Sequence, residues 1–357
     1  MNTLFLTQRA VCIYAGVLFL AGCGGAPIPP VYFHASTDDV RSVSEPSFSL
    51  SNVTRDTVRP YHLMVAHDGS IWYTARYGAA IVHVSLDGTI RKWRIPQFRG
   101  AHSAIQPAFI VEGVDGSIWF DYIAGQCENG IGHIVNGRLT RFHDKSCGIA
   151  FPWGIAIGRD DRLYVAEVND FSVEVFNDHG YVTTYDMPNG TLGDYMTSGP
   201  DGNIWISCGT FVARMDLKGG LKRFRVTKGS KPYLAASIAA GSDGNVWFVQ
   251  YQSGGSGVKV SKITPSGQVT EYPLPSQHYA DPFGGLAAGP DGSTWFVDDY
   301  VTSGIGSVST KGQMTFYAVT NKLNAGFATI GAGKDKVLRI AGSVTRRKRH
   351  YFVAEIQ

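Results

Sequence analysis

Charge, cysteine and long runs of helix-forming residues are all scarce in this chain. Charged residues make up 17% of its 357 positions, with a formal net charge of +3, which is too little of either sign to mark an acidic or a basic partner. The one basic run, Arg346-Arg347-Lys348-Arg349-His350, has no second basic cluster with interleaved aromatics. It reads as a solvated hairpin loop, and no nucleic-acid partner is expected. Glycine is plentiful at 43 residues and aromatics reach 12%, a composition that favours an all-β globular protein.

The N-terminus stands apart. Arg9 supplies a positive start, and Ala10 to Ala21 is apolar but too short to span a bilayer as a stable helix, so residues 1–22 are expected to be an export signal. They run into Leu20-Ala21-Gly22-Cys23, which resembles the bacterial lipobox. That resemblance implies that Cys23 is acylated and becomes the mature N-terminus. Gly24 in place of Asp implies the outer membrane, facing the periplasm. Residues 23–45 carry Gly-Gly, Pro-Ile-Pro-Pro and Ser without a sustained period and read as a flexible tether. A lipoprotein of the bacterial cell envelope is the expectation. In that oxidising setting Cys127 and Cys147 are candidates for a disulfide, which the sequence leaves open, and Cys208 reads as a small buried residue.

One phrase recurs through the rest: a small residue, Asp-Gly or a near copy, two variable positions, then Trp and an apolar residue. Gly199-Pro200-Asp201-Gly202-Asn203-Ile204-Trp205-Ile206 is the cleanest copy. Its first acidic residue falls at 68, 115, 160, 201, 243, 291 and 335, in steps of 47, 45, 41, 42, 48 and 44. A period in the forties with several short strands per unit predicts a seven-bladed β-propeller of four-stranded antiparallel blades over residues 46–357. The Trp strand is apolar on both faces and reads as core between blades. The seventh unit lacks its outer strand, and Pro46-Ser47-Phe48-Ser49-Leu50-Ser51 alternates as the outer strands do. An N-terminal strand is therefore predicted to complete the last blade and close the ring, leaving no open edge.

The repeat Gly-Pro-Asp-Gly-x-x-Trp-Phe, followed by an outer strand such as Val269-Thr270-Glu271-Tyr272-Pro273, resembles the streptogramin lyase (virginiamycin B lyase-like) family across all seven units. The resemblance implies Mg-assisted opening of a cyclic depsipeptide, with a histidine base just before a Gly-Pro-Asp-Gly turn and carboxylate ligands just after Trp-Phe. In this chain the histidine column reads Tyr61, Ala108, Trp153, Asp194, Ala236 and Gly284. The carboxylate column reads Ala75, Tyr122, Glu167, Cys208, Gln250 and Asp298. Glu167 and Asp298 are the remaining metal-ligand candidates, and His278 with Asp281 are the remaining catalytic candidates.

Two functions follow as expectations. In the first the chain is a binding module, expected to be a monomer, that takes a small-molecule or protein ligand at one face of the ring through Tyr61, Tyr122, Trp153, Tyr195 and Phe283; no cofactor is then expected. In the second it is an active C–O lyase, or a metal-dependent hydrolase or lactonase, using a relocated site and Mg.

Overall fold

The computed structural model describes residues 47–48, 50–97, 104–125, 128–143, 151–168, 170–188, 194–226, 232–252, 257–298, 304–319, 325–333, 335, 337–345 and 349–356. Cys23, Cys127, Cys147 and the basic residues 346–348 lie outside the described residues. Seven sheets of four antiparallel strands follow one another along the chain: blade one at 63–94, two at 106–143, three at 152–186, four at 196–225, five at 233–273, six at 286–319 and seven at 325–356 with an added N-terminal strand. The predicted seven-bladed propeller is therefore the architecture observed. First strands of neighbouring blades touch around the ring and wall a central cavity of about 480 Å³.

Each copy of the phrase is a hairpin between the first and second strands. Gly202 and its counterparts Gly69, Gly116, Gly244 and Gly292 have φ between +76° and +85°, which glycine adopts without steric cost. The aspartate does the rest. Oδ1 of Asp201 accepts the N–H of Asn203 at 3.2 Å and the indole N–H of Trp205 at 2.9 Å. Asp243 takes the Trp247 indole at 3.1 Å, and Asp291 takes the Trp295 indole at 3.0 Å. The ring is thereby laid over the first glycine of the phrase: a Cβ on Gly199, Gly241 or Gly289 would overlap it.

The degenerate copies keep the bond and change the donor. In blade three the Tyr164 hydroxyl donates to Asp160 at 3.0 Å, and in blade seven Arg339 donates to Asp335 at 2.6 Å. Across the blade, the pinned Trp stacks on the aromatic of the outer strand: Trp205 on Phe224 at 5.7 Å, Trp247 on Tyr272 at 5.5 Å and Trp295 on Tyr317 at 5.0 Å. Phe224 and Tyr272 in turn fill the space where a Cβ on Gly267 or Gly312 of the next blade would stand. Blades four and five are each locked to their successors by this overlap, as blade three is to blade four through Tyr185 and Gly219.

Closure uses the N-terminus, with a boundary shifted from the sequence expectation. Leu50–Asp56 pairs antiparallel with Arg349–Ile356 as the fourth strand of blade seven, with a register shift between Ser51 and Thr54. Ser47 and Phe48 pair instead in parallel with Ala318 and Val319 on the edge of blade six. The predicted stretch 46–51 thus straddles two blades, because alternation alone does not say which edge a short strand joins. Asp56 ends the closing strand and accepts hydrogen bonds from Tyr73 and Lys92 of blade one. One segment of about ten residues therefore ties three blades together.

Asp201→Ala leaves the buried Trp205 indole N–H without its acceptor and is expected to lower stability by about 1–3 kcal/mol. Because Trp205→Phe removes the same bond, the double variant should lose clearly less than the sum of the two single losses in denaturant unfolding. Additive losses would show that the bond is not the link.

Candidate binding site at the ring mouth

The hairpins close one end of every blade, so the start of each first strand and the finish of each second strand lie together at the other end. Tyr61, just before the first strand of blade one, donates its backbone N–H to Thr74 O at 2.9 Å. Trp153 lies in the first strand of blade three, Pro152–Ile157, and Tyr195 and Phe283 precede the first strands of blades four and six. Trp153, Tyr195 and Phe283 gather through an aromatic that the sequence reading missed, and Tyr61 packs against the same core cluster. Phe109 meets Trp153 edge-on at 5.7 Å and Tyr195 at 5.1 Å. Tyr195 then lies 6.4 Å from Phe283, whose other neighbour is Tyr251 at 5.9 Å. Phe283 is 42% exposed, while His62, Phe109, Tyr195 and Phe283 all line the central cavity.

Tyr122 is not part of this cluster. It is fully buried between blades one and two, packed with Ile81, Ile95 and Phe120. Side chains alternate along a strand, so in blade two the preceding residue takes the other direction. That residue is Asp121. Its carboxylate accepts the backbone N–H of Phe109 at 2.6 Å and of Gly154 at 3.4 Å, joining blades two and three beneath the aromatic cluster. Gly154 has φ +122° at a bulge in its strand, where a Cβ would strike the backbone of Asp194.

Burial dominates the electrostatics here. It pushes the Asp121 carboxyl up to about 7, against the backbone donors and Arg76. The His62 imidazole is pushed down to about 4 by burial, so it is neutral near pH 7. Burial also raises the Tyr61 phenol, and Arg76 opposes that rise. Asp281, whose Oδ1 accepts the Phe283 N–H at 2.9 Å, is held above the ordinary carboxylate range by burial as well.

The remaining candidates separate around the ring. His278 Nδ1 lies 2.6 Å from Asp298 Oδ2, and Asp298 Oδ1 accepts the Tyr279 N–H at 2.8 Å. Both side chains are only 8% exposed, with the imidazole flat on Phe316 at 3.4 Å. Glu167, 1% exposed, belongs to blade three, where its Oε2 accepts the Phe151 N–H at 2.7 Å. Burial, with Glu174 beside it, pushes the Glu167 carboxyl up to about 9. The residues present do not fit a Mg ion: both Asp298 oxygens are engaged by His278 and Tyr279, and the buried Glu167 carboxyl is held far above the ordinary range and taken by the Phe151 N–H. Among the described residues no group of three or more His, Cys, Asp or Glu side chains is placed to hold a metal. His83 and His133 stack on Trp72 and Trp119 at 4.4 and 3.6 Å, and Cys208 is buried with a free thiol.

The raised carboxyls set a direction for stability against pH. A folded-state pKa above the unfolded value means the folded protein holds the extra proton, so stability declines as the pH rises between the two values. For Asp121 that window runs from 3.8 to about 7, and for Glu167 from 4.5 to about 9. Glu167→Gln is therefore expected to flatten the fall in melting temperature between pH 7 and 9, measured by circular dichroism. An unchanged slope would show that Glu167 is ionised in the folded protein.

Residues 46–347 match the family model described as the virginiamycin B lyase family. The virginiamycin B lyase of Nocardia farcinica (strain IFM 10152) is 26% identical over 222 residues, covering 61% of this chain and 71% of that protein. A streptogramin B lyase structure superposes with a TM-score of 0.67 at 22% identity, covering 86% of this chain and 98% of that one. A catalytically inactive virginiamycin B lyase from Staphylococcus aureus, solved with quinupristin, gives 0.69 at 23% identity, covering 86% and 99%. These two likenesses speak for the fold, and the family match spans most of the sequence. The chain belongs to the virginiamycin B lyase family.

Proposed function

We propose that this chain is a binding member of its family, anchored to the cell envelope through Cys23 and taking a small ligand at the mouth of the ring. The observation that carries this reading is the aromatic cluster itself. Tyr61, Phe109, Trp153, Tyr195 and Phe283 arrive from five different blades; Phe109 meets Trp153 and Tyr195 edge to face, and Phe109, Tyr195 and Phe283 line a cavity of about 480 Å³. Rigid aromatics of this kind give contact area at small entropic cost. The columns that hold base and metal ligands by family resemblance carry none of the expected histidines, and their two carboxylates stand in different blades.

A second reading, a carbon–oxygen lyase acting on a streptogramin as its relatives are named to do, is favoured by family membership and by the His278–Asp298 contact at 2.6 Å. That pair faces Phe316 rather than the cavity, which supports the binding reading over it.

Both readings are decided by two assays on the purified chain. Ligand-observed NMR with a set of small aromatic compounds should find binders, and Phe283→Ala should weaken them by about 1–3 kcal/mol, or roughly 5- to 150-fold. Incubation with quinupristin followed by mass spectrometry should leave the ring closed. Opening that a chelator abolishes would replace binding with lyase activity. For the anchor, Cys23→Ser is expected to release the chain from the membrane fraction; retention there would exclude lipidation as the attachment.

A further inference from the structure

Arg76 is a cation held at the aromatic mouth, and among the described residues nothing pairs with it as a carboxylate would. It follows the second strand of blade one and opens the short 3₁₀ turn Arg76–Gly78. Its guanidinium lies 4.8 Å from the Tyr61 ring and 5.1 Å from the Trp153 ring. Nε donates to Gln106 Oε1 at 2.9 Å, and the Tyr61 side chain is its other hydrogen-bonding neighbour. Two aromatic faces and an amide thus fix its position. Among the described residues no carboxylate stands within ion-pairing distance of it. Asp121 is close enough to feel its charge, yet spends its oxygens on the backbone of Phe109 and Gly154.

A half-buried guanidinium normally meets a carboxylate, since its fork of N–H donors matches one in two parallel hydrogen bonds. Here two aromatic rings lie against it, Gln106 and Tyr61 take part of its fork, and the N–H groups that remain are left to a group from outside. Trp153, which lies against the guanidinium, touches Phe109 on the wall of the cavity, which lets one molecule place an apolar body in the cavity and an anion at Arg76. The charge is also set. Among the described residues Arg76 is the cation set between these rings, and the Asp121 and Asp281 carboxyls act on Tyr61 and Tyr195 beside it, which disfavours a dianion. We propose that Arg76 is the anchor for the ligand of this mouth, and that the ligand is a small apolar or aromatic molecule bearing a single carboxylate. This assignment rests on the reading of the mouth as a binding site.

Three compounds with the same ring test it on the purified chain: phenylacetate, its neutral twin phenylacetamide, and phenyl phosphate, with affinities read by ligand-observed NMR. Phenylacetate should bind at least tenfold more tightly than the amide and more tightly than the phosphate. Arg76→Gln should erase the preference for the acid while leaving amide binding in place. Arg76→Lys, which keeps the charge and loses the fork, should restore only part of it. Circular dichroism melting checks each variant's fold. If Arg76→Gln does not fold, the wild-type comparison of acid against amide still decides. Equal binding of acid and amide, or a preference that persists in folded Arg76→Gln, overturns the role of Arg76 while the mouth remains a binding site. Tightest binding of phenyl phosphate overturns the single-carboxylate assignment. Binding of none of the three removes both this inference and the reading on which it rests.

Discussion

In blades three to seven the ring is organised by a hydrogen bond from the pinned side chain of the second strand to the aspartate of its own hairpin. Where the donor is an indole, as at Trp205, Trp247 and Trp295, the ring lies over a glycine and stacks on the outer-strand aromatic. A buried indole N–H left unpaired costs about 1–3 kcal/mol, so blades four, five and six depend on their aspartates keeping one oxygen for this purpose. The carboxyl is adapted to it: burial raises the Asp201, Asp243 and Asp291 pKa values, and the hydrogen bonds outweigh that and bring each below 3.8. The substitutions Tyr164 and Arg339 show that a donor of the right reach is what the site requires. Indole is one such donor.

This division of labour leaves the opposite end of the blades free to vary. At the hairpin end the carboxylates are ionised, hydrogen-bonded and structural. At the mouth they are buried and held above the ordinary range, as Asp121, Glu167 and Asp281 are. Buried carboxyls of that kind are unfavourable to folding and collect where a protein binds or reacts. The mouth adds a cation fixed between aromatic faces and a neutral imidazole lining the cavity. Inner strands position Asp121 and Glu167, while His62, Arg76 and Asp281 stand in the short segments at the strand ends.

Much of this was legible from the repeat, because a phrase recurring at a period in the forties fixes blade number, hairpin position and ring closure together. What the pattern could not carry was direction at the end of each strand. Tyr122 and Asp121 are neighbours, and only the pleat decides that Tyr122 enters the core between blades while Asp121 joins blades two and three. Glu167 and Asp298 share a column, yet a column in a propeller is distributed around the ring, so shared position does not mean proximity. Phe109 and Arg76 fall outside every recurring column and were invisible for that reason, although an arginine immediately after a second strand is a signal that could have been sought. The closing strand was recognised, and its edge was misplaced by a few residues because Ser47 and Phe48 pair with blade six.

The central claim is that function resides at the aromatic mouth and the Asp-Gly end is purely structural. Hydrogen exchange read by mass spectrometry, with and without a bound aromatic ligand, tests it most directly. The account predicts new protection at residues 61–62, 106–109, 151–154, 194–195 and 281–285, with the hairpin ends unchanged. Protection confined to the hairpins, or to the His278–Asp298 side of blade six, would contradict it.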